Sequence, residues 1–432
     1  MELIVDLHIH SRFARATSSK LTLPEIYKWA KIKGINVIGT GDFTHPKWFE
    51  ELENGLEESD GGLYSLKKDL AKEVDKFLPN SVKDNIVRFI PTVEISNMYT
   101  RNGKGRRLHN LVITPSLKVA KNINTELTKR GANLKADGRP IIGMDSYDLL
   151  KITINSDPDS LFIPAHIWTP WFAMFGSKSG FDTITDCFGD LSPHIYAIET
   201  GLSSDPFMNW RLSQLDKITI ISGSDAHSLP KLAREANIIN CDLSYKEIIG
   251  AIKTNDKRFI GTFEFFPEEG MYHLDGHRKC NIKLLPSETN KLNGICPVCH
   301  TPLVVGVMHR VDDLADRPED FIPKKHKEVH SIVPIIEMIA EIKNIKSIGA
   351  KSVVEEYEKI YSTLGSDFSI FRNRTIKEIK DAGFEMLSHA IDKVRRKDIV
   401  IDPGYDGVYG IVKVFKAGEL ESKEDSQLGL GL

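Results

Sequence analysis

The stretch Leu3-Ile4-Val5-Asp6-Leu7-His8-Ile9-His10 decides the fold, because an apolar run leads directly into two histidines. Side chains alternate between the two faces of a strand, so Asp6, His8 and His10 share one face. Two neutral imidazoles on the same face can bind one metal ion such as zinc. Alone, such a pair is weak evidence, and its meaning depends on whether other strands bring further ligands.

The composition is that of a globular protein with two or three domains. The chain has 432 residues, of which 41% are hydrophobic and 27% charged, a balance typical of soluble proteins. The net charge of −3 means that any contact with nucleic acid depends on local basic patches. No apolar run is long enough to span a membrane and no signal-like segment is present, so we expect a cytoplasmic protein. Five cysteines make no disulfide framework, and we expect Cys187 and Cys241 to be buried thiols.

Seven short apolar strands separated mostly by helices predict a parallel βα array. Thr22 and Glu25 predict a capping box at the start of the first helix, which ends at Gly34. The segment 46–87 is polar and helical in pattern. The strands after the first are predicted at 35–39, 87–93, 110–113, 161–165, 195–198 and 218–222.

Ionisable side chains lie at the ends of these strands. Six strands carry such a group just past the C-terminal end, and His109 precedes the seventh. Catalytic residues of βα barrels gather at the C-terminal rim. Chance alone would rarely place so many ionisable groups at strand ends. The residues concerned are His8, His10, Asp42, Glu94, His109, His166, Glu199, Asp225 and His227. The sequence therefore predicts a metal site at this rim.

These motifs resemble the PHP (polymerase and histidinol phosphatase) family over about residues 1–265. The resemblance implies a distorted seven-stranded βα barrel with a phosphoesterase site of up to three divalent metals. It implies that Glu94, Asp225 and His227 are the catalytic residues. By the same resemblance one metal is held by His8, His10, Glu94 and Asp225, a second by Glu94, His109 and His166, and a third by Asp42 and His227.

The chain departs from many PHP relatives at the third metal. Many have histidine where Asp42 stands, and another histidine where the loop after the first strand has Arg12 and Arg15. We therefore expect the third site to be weaker, with His45 as a reserve ligand, and Asp6 to orient an imidazole. Imidazole and carboxylate ligands fit Zn²⁺, Mn²⁺ or Fe²⁺ better than Mg²⁺, but the sequence leaves the ion open.

Two loops bear on the substrate. Trp168, Trp171 and Phe172 belong to an aromatic stretch directly after His166, which could stack an unpaired base or form a lid on the rim. Residues 103–107 form a flexible basic turn that could contact phosphates or remain a solvated loop. The candidate basic contacts to DNA are Arg12, Arg15, Arg106 and Arg107.

A zinc ribbon is predicted after Pro267. Cys280, Cys296 and Cys299 lie in two knuckles whose spacing is typical of a closed structural zinc site. His277 is the favoured fourth ligand by spacing, with His300 and His273 as competing candidates. So small a domain should fold only with its metal.

From about residue 328 the pattern is helical. Apolar residues recur at helical spacing through 329–339, and further helices are predicted at about 350–363 and 373–397. This end is basic, which suits a phosphate backbone, although a solvated helix face is the commoner role of such charges. Its basic residues are Arg372, Arg374, Lys393, Arg395, Arg396 and Lys397.

The whole chain to about residue 416 resembles the endonuclease Q family of DNA-repair enzymes. The supporting stretches outside the barrel are 272–276 before the ribbon, 306–317 after it, and Asp402-Pro403-Gly404-Tyr405-Asp406-Gly407. The resemblance implies a metal-dependent endonuclease that cuts DNA on the 5′ side of uracil, hypoxanthine, xanthine and abasic sites, and that is associated with the nucleoid. The predicted domains are 1–265 (barrel), 266–312 (ribbon), 313–416 (helical domain) and 417–432 (tail).

The tail carries a separate signal. Gln427, Leu428, Leu430 and Leu432 form QLGLGL, which resembles the QLxLxL peptide that binds the bacterial replication sliding clamp. A frayed terminus without function is the alternative, because short peptides match by chance.

Two other functions are open at this point. One is a small-molecule phosphatase of the histidinol-phosphate kind, which would need neither a ribbon nor a basic helical end. The other is a DNA-binding scaffold with a degenerate barrel, which the nearly complete ligand set disfavours.

Overall fold

The computed structural model describes residues 1–420, and its architecture is mixed α/β, which confirms the predicted α/β class. The strands as far as residue 264 are β1 Glu2–Asp6, β2 Val37–Gly39, β3 Leu56–Ser59, β4 Leu63–Leu66, β5 Arg88–Ile90, β6 Thr92–Arg101, β7 Lys104–Ile113, β8 Ile141–Ile142, β9 Leu161–Pro164, β10 Ala197–Glu199, β11 Thr219–Ile221, β12 Ala236–Asn240 and β13 Phe259–Glu264. The helices between them are α1 Leu23–Lys33, α2 Pro46–Gly55, α3 Lys68–Asp75, α4 Asn80–Lys83, α5 Leu117–Lys129, α6 Ser146–Ser156, α7 Ile184–Phe188, α8 Pro206–Asn209 and α9 Tyr245–Thr254.

The remaining elements are shorter strands and a set of helices. The strands are β14 Asp275–His277, β15 Ile282–Leu284, β16 Glu328–Ser331, β17 Val400–Asp402 and β18 Ile411–Lys413. The helices are α10 Pro286–Lys291, α11 Val307–Leu314, α12 Ile335–Ile342, α13 Lys351–Leu364, α14 Asp367–Asn373, α15 Ile376–Asp381 and α16 Glu385–Arg395. No helix in the described residues is long and apolar enough to cross a membrane.

The strands form separate sheets whose edges meet around the candidate site. The largest sheet has the order β16-β13-β12-β1-β2-β5-β4-β3, a second has the order β8-β6-β7-β9, and β10 pairs with β11. Strands β1, β2 and β5 run parallel, whereas β12, β7 and β9 pair antiparallel with their neighbours. The array is therefore mixed, and within residues 1–420 its hydrogen bonding closes no barrel.

Strand β1 is buried on both faces, which explains its uninterrupted apolar sequence. Leu3, Val5 and Leu7 pack in a cluster with helix α9, and Ile4 and Ile9 belong to the other main cluster of the barrel region. After β1 the chain continues beside the residues that follow β11, with a parallel bridge between Ile9 and Ala226. This bridge brings the two histidines and the Asp225 loop together.

Two segments, one predicted as helical and one as a turn, contain strands in the structure. The segment 46–87 holds the helices α2, α3 and α4, as predicted, but also the hairpin β3–β4, in which Leu56, Leu63 and Leu66 are buried. The predicted basic turn at 103–107 is confined to the tip, since Lys104 already begins β7. Edge hairpins with one polar face resemble amphipathic helices in sequence.

The start of α1 and the helices after residue 328 also differ from the prediction. Thr22 precedes α1 without a side-chain cap hydrogen bond, so no capping box forms, although Gly34 ends the helix in the left-handed conformation as predicted. Residues 328–331 form strand β16 rather than helix, and the predicted helical segment 373–397 holds two helices, α15 and α16. Backbone pairing with β13, rather than helical spacing, decides the conformation of β16.

The C-terminal helices pack on the barrel region rather than standing apart. Strand β16 pairs in parallel with β13 from Gly261 to Glu264. The Phe263 ring lies 4.7 Å from that of Phe368, and Trp29 of α1 stacks on Tyr357 at 6.1 Å. The domain bounds given above stay a prediction, and α11 continues across residue 312.

Candidate metal centre

His8 and His10 leave β1 toward a pair of buried carboxylates. His10 Nε2 lies 3.2 Å from Glu94 Oε2 and 3.0 Å from Asp225 Oδ1. The corresponding distances from His8 Nε2 are 3.6 and 3.7 Å. One ligand atom from each of these four residues lies within 4.8 Å of the others, so the four form a candidate metal-binding group.

A second group shares Glu94 with the first. Its Oε1 atom lies 2.5 Å from His109 Nδ1 and 3.1 Å from His166 Nε2. The two imidazole nitrogens are themselves only 3.1 Å apart. Since β6 brings Glu94, β7 brings His109 and β9 leads into His166, the second sheet supplies this whole group.

Two further carboxylates hold the histidines of the first group. Both oxygens of Glu199 lie 2.9 Å from His8 Nδ1, which therefore donates to them and leaves Nε2 facing the centre. Asp42 accepts from His10 Nδ1 at 3.0 Å and, through its other oxygen, from the backbone and hydroxyl of Ser11. Such carboxylates fix the tautomer and orientation of metal-binding imidazoles.

Asp6 does not orient an imidazole as expected. Its carboxylate accepts hydrogen bonds from the backbone N–H groups of Ser224 and Ala233, at 3.2 and 2.9 Å. It thus fixes the segment that carries Asp225. Burial raises the pKa of Asp6 to about 6.

The predicted third pair, Asp42 and His227, joins neither ligand group in the described part of the chain. Asp42 is fully buried and engaged with His10, whereas His227 donates from Nδ1 to the Asp225 carbonyl at 2.8 Å. The His227 ring packs against His10 with centroids 4.6 Å apart. His45 is buried and stacks on Phe13. The role of Asp42 and His227 as ligands stays a prediction.

The residues of the two groups fit divalent cations. His8 Nε2 is buried and has no hydrogen-bond partner among residues 1–420, although it faces two carboxylates. An unpaired buried nitrogen beside such charges is costly unless a cation completes the site. Imidazole nitrogens and carboxylate oxygens together suit first-row transition ions.

The titration of these groups shows how strongly the centre favours positive charge. Burial opposes ionisation, but the carboxylates Glu199 and Glu94 still raise the pKa of His8 well above its usual value. Likewise, burial acts against ionisation of Glu94, yet His109 and Arg139 hold its pKa well below the usual value. Burial lowers the pKa of His109 to about 4, so its imidazole is neutral at pH 7. Metal binding would therefore release protons from the centre.

The backbone is strained where the ligands enter. Asp42, His166 and Asp225 have φ values of 49°, 30° and 45°, in the left-handed region. Each such residue costs about 1–3 kcal/mol, and strain of this kind clusters at functional sites. A Cβ on Gly223 would lie 2.1 Å from Glu199 Oε1, so only glycine lets the chain pass this carboxylate.

The aromatic residues after His166 differ in burial, because some lie in the core and others near the surface. Trp168 is fully buried and its indole N–H donates to Asn209 at 2.8 Å, so its ring is not available to stack a base. Phe172 packs against His109 at 4.8 Å, and Trp171 is 37% exposed and contacts Tyr272 at 5.6 Å. Only the latter two residues of this stretch present rings beside the centre.

The candidate basic residues are unequally available. Arg106 donates to the Gly180 carbonyl and lies 3.9 Å from the Phe181 ring, so it is committed to the fold. Arg12 pairs with Glu51, whereas Arg15 and Arg107 are exposed. In the helical domain, Arg372, Arg374, Lys393 and Arg396 form ion pairs and Arg395 binds backbone carbonyls. Lys397 lies over the Phe207 ring.

The predicted ribbon ligands come together at a second place. His277, Cys280, Cys296 and Cys299 have ligand atoms within 4.8 Å of one another, and this group includes neither His273 nor His300. His277 Nδ1 lies 3.2 Å from Cys299 Sγ. A hydrogen bond with the Thr301 hydroxyl lowers the pKa of Cys299 to about 6. Cys187 and Cys241 are buried, as predicted.

The sequence did not predict the role of Glu199 or the presence of Arg139 at the centre. Glu199 was recognised at a strand end, but no spacing rule showed that it would hold His8. Arg139 donates from Nη1 to Glu94 Oε2 at 3.2 Å. It lies in the loop before β8, far from any ligand motif, and carries no signal in the sequence.

No protein-family model matches this chain. An uncharacterised protein of Methanocaldococcus jannaschii is 29% identical over 293 residues, which are 65% of this chain and 36% of that protein. The chain therefore spans about a third of the length of this curated relative.

Two solved structures are similar over nearly the whole chain. The first is the lesion-specific endonuclease PfuEndoQ of Pyrococcus furiosus, with a TM-score of 0.81, 28% identity, and coverage of 98% of this chain and 99% of that one. The second is endonuclease Q in complex with a 27-mer duplex carrying an abasic lesion at the active site, with a TM-score of 0.80, 28% identity, and coverage of 96% and 97%. The resemblance to the endonuclease Q family is thus confirmed.

Replacing Glu199 by glutamine tests the support of His8. The variant should bind divalent metal about 10–100-fold more weakly, because the neutral amide no longer fixes the imidazole. Isothermal titration calorimetry with Mn²⁺ measures the change in metal affinity. Asp242→Asn is the matched control, since Asp242 is exposed. Equal metal affinity in both variants would contradict the assigned role of Glu199.

Proposed function

We propose that this protein is a metal-dependent endonuclease that recognises damaged DNA and hydrolyses a phosphodiester beside the lesion. The observation that supports this function is the pair of ligand groups sharing Glu94, set in a chain that is similar from end to end to lesion-specific endonucleases. The substrate extends to DNA with uracil, hypoxanthine, xanthine or an abasic site, and the cut falls on the 5′ side. A location with the nucleoid follows from such a substrate.

The chain's own residues have two roles at the centre, holding the ions and orienting the ligands. His8, His10, Glu94 and Asp225 hold one divalent ion, and Glu94, His109 and His166 a second, with Asp42 and His227 proposed for a third. Glu199 and Asp42 orient the histidines. Bound divalent ions would supply an activated water and stabilise the attacking and leaving oxygens of the phosphate. Zinc, manganese or magnesium are the candidates.

The rim offers surfaces for a base removed from the duplex. Phe172 lies against the His109 ring, and the adjacent Trp171 contacts Tyr272 and is partly exposed. Stacking on an aromatic ring contributes about 1–3 kcal/mol per base. Unstacking a target base costs a few kcal/mol and is cheapest where pairing is already poor. Exposed Arg107, 5.8 Å from the Phe172 ring, is placed to meet the backbone nearby.

We also propose that the three sheets around the centre make up the distorted seven-stranded PHP barrel. The seams are bridged locally: Phe43 N–H, after β2, donates to the Thr92 carbonyl of β6 at 3.3 Å, and Ile167 N–H, after β9, to the Glu199 carbonyl of β10 at 3.2 Å. The helices after residue 313 form the C-terminal helical domain.

A nicking assay tests the proposed function. The protein is incubated with Mn²⁺ or Mg²⁺ and labelled duplexes that contain one uracil, one hypoxanthine, one abasic site or no lesion, with p-nitrophenyl phosphate in parallel. We expect a single nick 5′ to the lesion and none in the undamaged duplex. Ester turnover without nicking would favour a small-molecule phosphatase and refute the proposal.

Asp225→Asn should abolish nicking while leaving lesion binding. The loss of rate should exceed about 100-fold, because a direct ligand matters more than the orienting groups whose loss costs about 10–100-fold. Rates are measured at saturating DNA and binding by fluorescence anisotropy. Asp242→Asn should behave as wild type, and nicking that survived in Asp225→Asn would refute the site.

We propose that His277, Cys280, Cys296 and Cys299 bind one structural zinc ion as a zinc ribbon. Three thiols and one imidazole at this separation are a typical tetrahedral zinc set. Cys296→Ser should lower the zinc content by one ion per chain, as measured by plasma mass spectrometry on purified protein. Cys241→Ser, a buried thiol elsewhere, is the control. Unchanged zinc in Cys296→Ser would exclude the ribbon site.

The tail motif Gln427–Leu432 lies outside the described residues. We propose that it binds the hydrophobic groove of a replication sliding clamp. Deleting 427–432 should abolish co-precipitation with the clamp and leave nicking of short duplexes unchanged. Retained co-precipitation would show that the clamp, if bound, uses another surface.

A further inference from the structure

The loop that carries Arg139 is fixed on both sides of this residue. Gly138 N–H donates to the Phe13 carbonyl at 2.9 Å, and Ser96 N–H donates to the Pro140 carbonyl at 3.0 Å. The Thr44 hydroxyl also donates to the Gly138 carbonyl, at 3.3 Å. The loop is thus held by the segments that follow β1 and β2 and by β6, and the arginine side chain extends from a rigid base.

Gly138 lets this loop approach the centre closely. A Cβ at this position would lie 2.5 Å from Asp42 Oδ2 and 2.8 Å from the backbone nitrogen of Ala14. Asp42 in turn holds His10. The neighbouring Arg139 is therefore placed beside the ligand groups by close packing of the backbone, rather than by a flexible loop.

The guanidinium of Arg139 is only partly engaged. Its one hydrogen bond within residues 1–420 runs from Nη1 to Glu94 Oε2, at 3.2 Å. The side chain is 24% exposed. A guanidinium has five N–H donors in a planar fork, so most of them are free on the solvent side of a buried carboxylate.

Arg139 is also the only arginine or lysine that pairs with the carboxylates of the centre in the described structure. Asp42, Glu199 and Asp225 pair with histidines alone. An arginine guanidinium stays protonated in proteins, so Arg139 is a permanent, partly exposed cation beside the two ligand groups.

The pair of Arg139 with Glu94 leaves much of the guanidinium unused. Arginine and carboxylate frequently pair through two parallel hydrogen bonds. Here Arg139 uses one nitrogen on the edge of Glu94, whose two oxygens also face four imidazoles. The unused part of the fork matches the geometry of a phosphate.

We propose that Arg139 binds a non-bridging oxygen of the scissile phosphate and holds it over the ligand groups. The proposal rests on the proposed function and adds to it a substrate-binding residue. Its contact with Glu94 fixes the fork, and the free N–H donors meet the phosphate. Lysine can supply the charge but not the planar fork.

Binding of modified duplexes tests this contact without turnover. Wild type, Arg139→Met and Arg139→Lys are titrated in Ca²⁺ with an abasic-site duplex whose phosphate 5′ to the lesion is either native or a neutral methylphosphonate. The methylphosphonate should weaken wild-type binding by about 10–100-fold, the range of a lost hydrogen bond to a charged group. It should weaken binding by Arg139→Met about tenfold less than it weakens wild-type binding, because the arginine contact is already absent and only the interaction of the phosphate with the bound ions remains to be lost. The loss of affinity in Arg139→Lys should lie between those of wild type and Arg139→Met.

Arg130→Met is the matched control, since Arg130 is exposed at the end of α5 and should respond to the methylphosphonate as wild type does. If the methylphosphonate weakened binding by Arg139→Met by the same factor as binding by wild type, the proposal would be overturned. So would weaker binding of Mn²⁺ by Arg139→Met, measured by calorimetry, because Arg139 would then only support Glu94.

A separate arm distinguishes this proposal from the proposed function. If wild type does not prefer lesion DNA, the proposed function fails, and the Arg139 contact is measured with inorganic phosphate on the metal-loaded protein. Arg139→Met should bind phosphate about tenfold or more weakly than wild type and Arg130→Met. Equal phosphate affinity in the three proteins would overturn the assignment of Arg139.

Discussion

The buried carboxylate of Glu94 is the group on which the rest of the structure depends. Its two oxygens face four imidazoles and one guanidinium in a place that water does not reach. A buried charge is tolerated only when charges and hydrogen bonds around it compensate for lost solvation. The four imidazoles and the Arg139 guanidinium provide this compensation for Glu94, and a bound cation would add to it.

Separate sheets meet at this carboxylate. The main sheet leads to His8, His10 and Asp42, the second sheet to Glu94, His109 and His166, and the β10–β11 pair to Glu199 and Asp225. Three of the residues concerned have left-handed backbone, which costs energy that the surrounding packing must offset. Seams between sheets allow such irregular backbone, because no continuous hydrogen-bond ladder has to pass through it.

The same packing joins the catalytic half to the helices that follow. Strand β16 extends the main sheet next to β13, and Phe263 on β13 packs against Phe368 of α14. Buried Lys33 at the end of α1 lies 3.7 Å from Asp367. The C-terminal helices therefore share their hydrophobic core with the preceding sheets and helices.

The sequence by itself determined the ligands and their chemistry, whereas only the tertiary structure decided their partners. His8 and His10 could be placed on one face from strand periodicity alone, and the cysteine spacing predicted the ribbon group, because both are local relations along the chain. The roles of Glu199, Asp42 and Asp6, the burial of Trp168 and the position of Arg139 depend on residues 30 to more than 200 positions apart. Such contacts arise from how sheets meet and loops pack, and neither periodicity nor spacing encodes them.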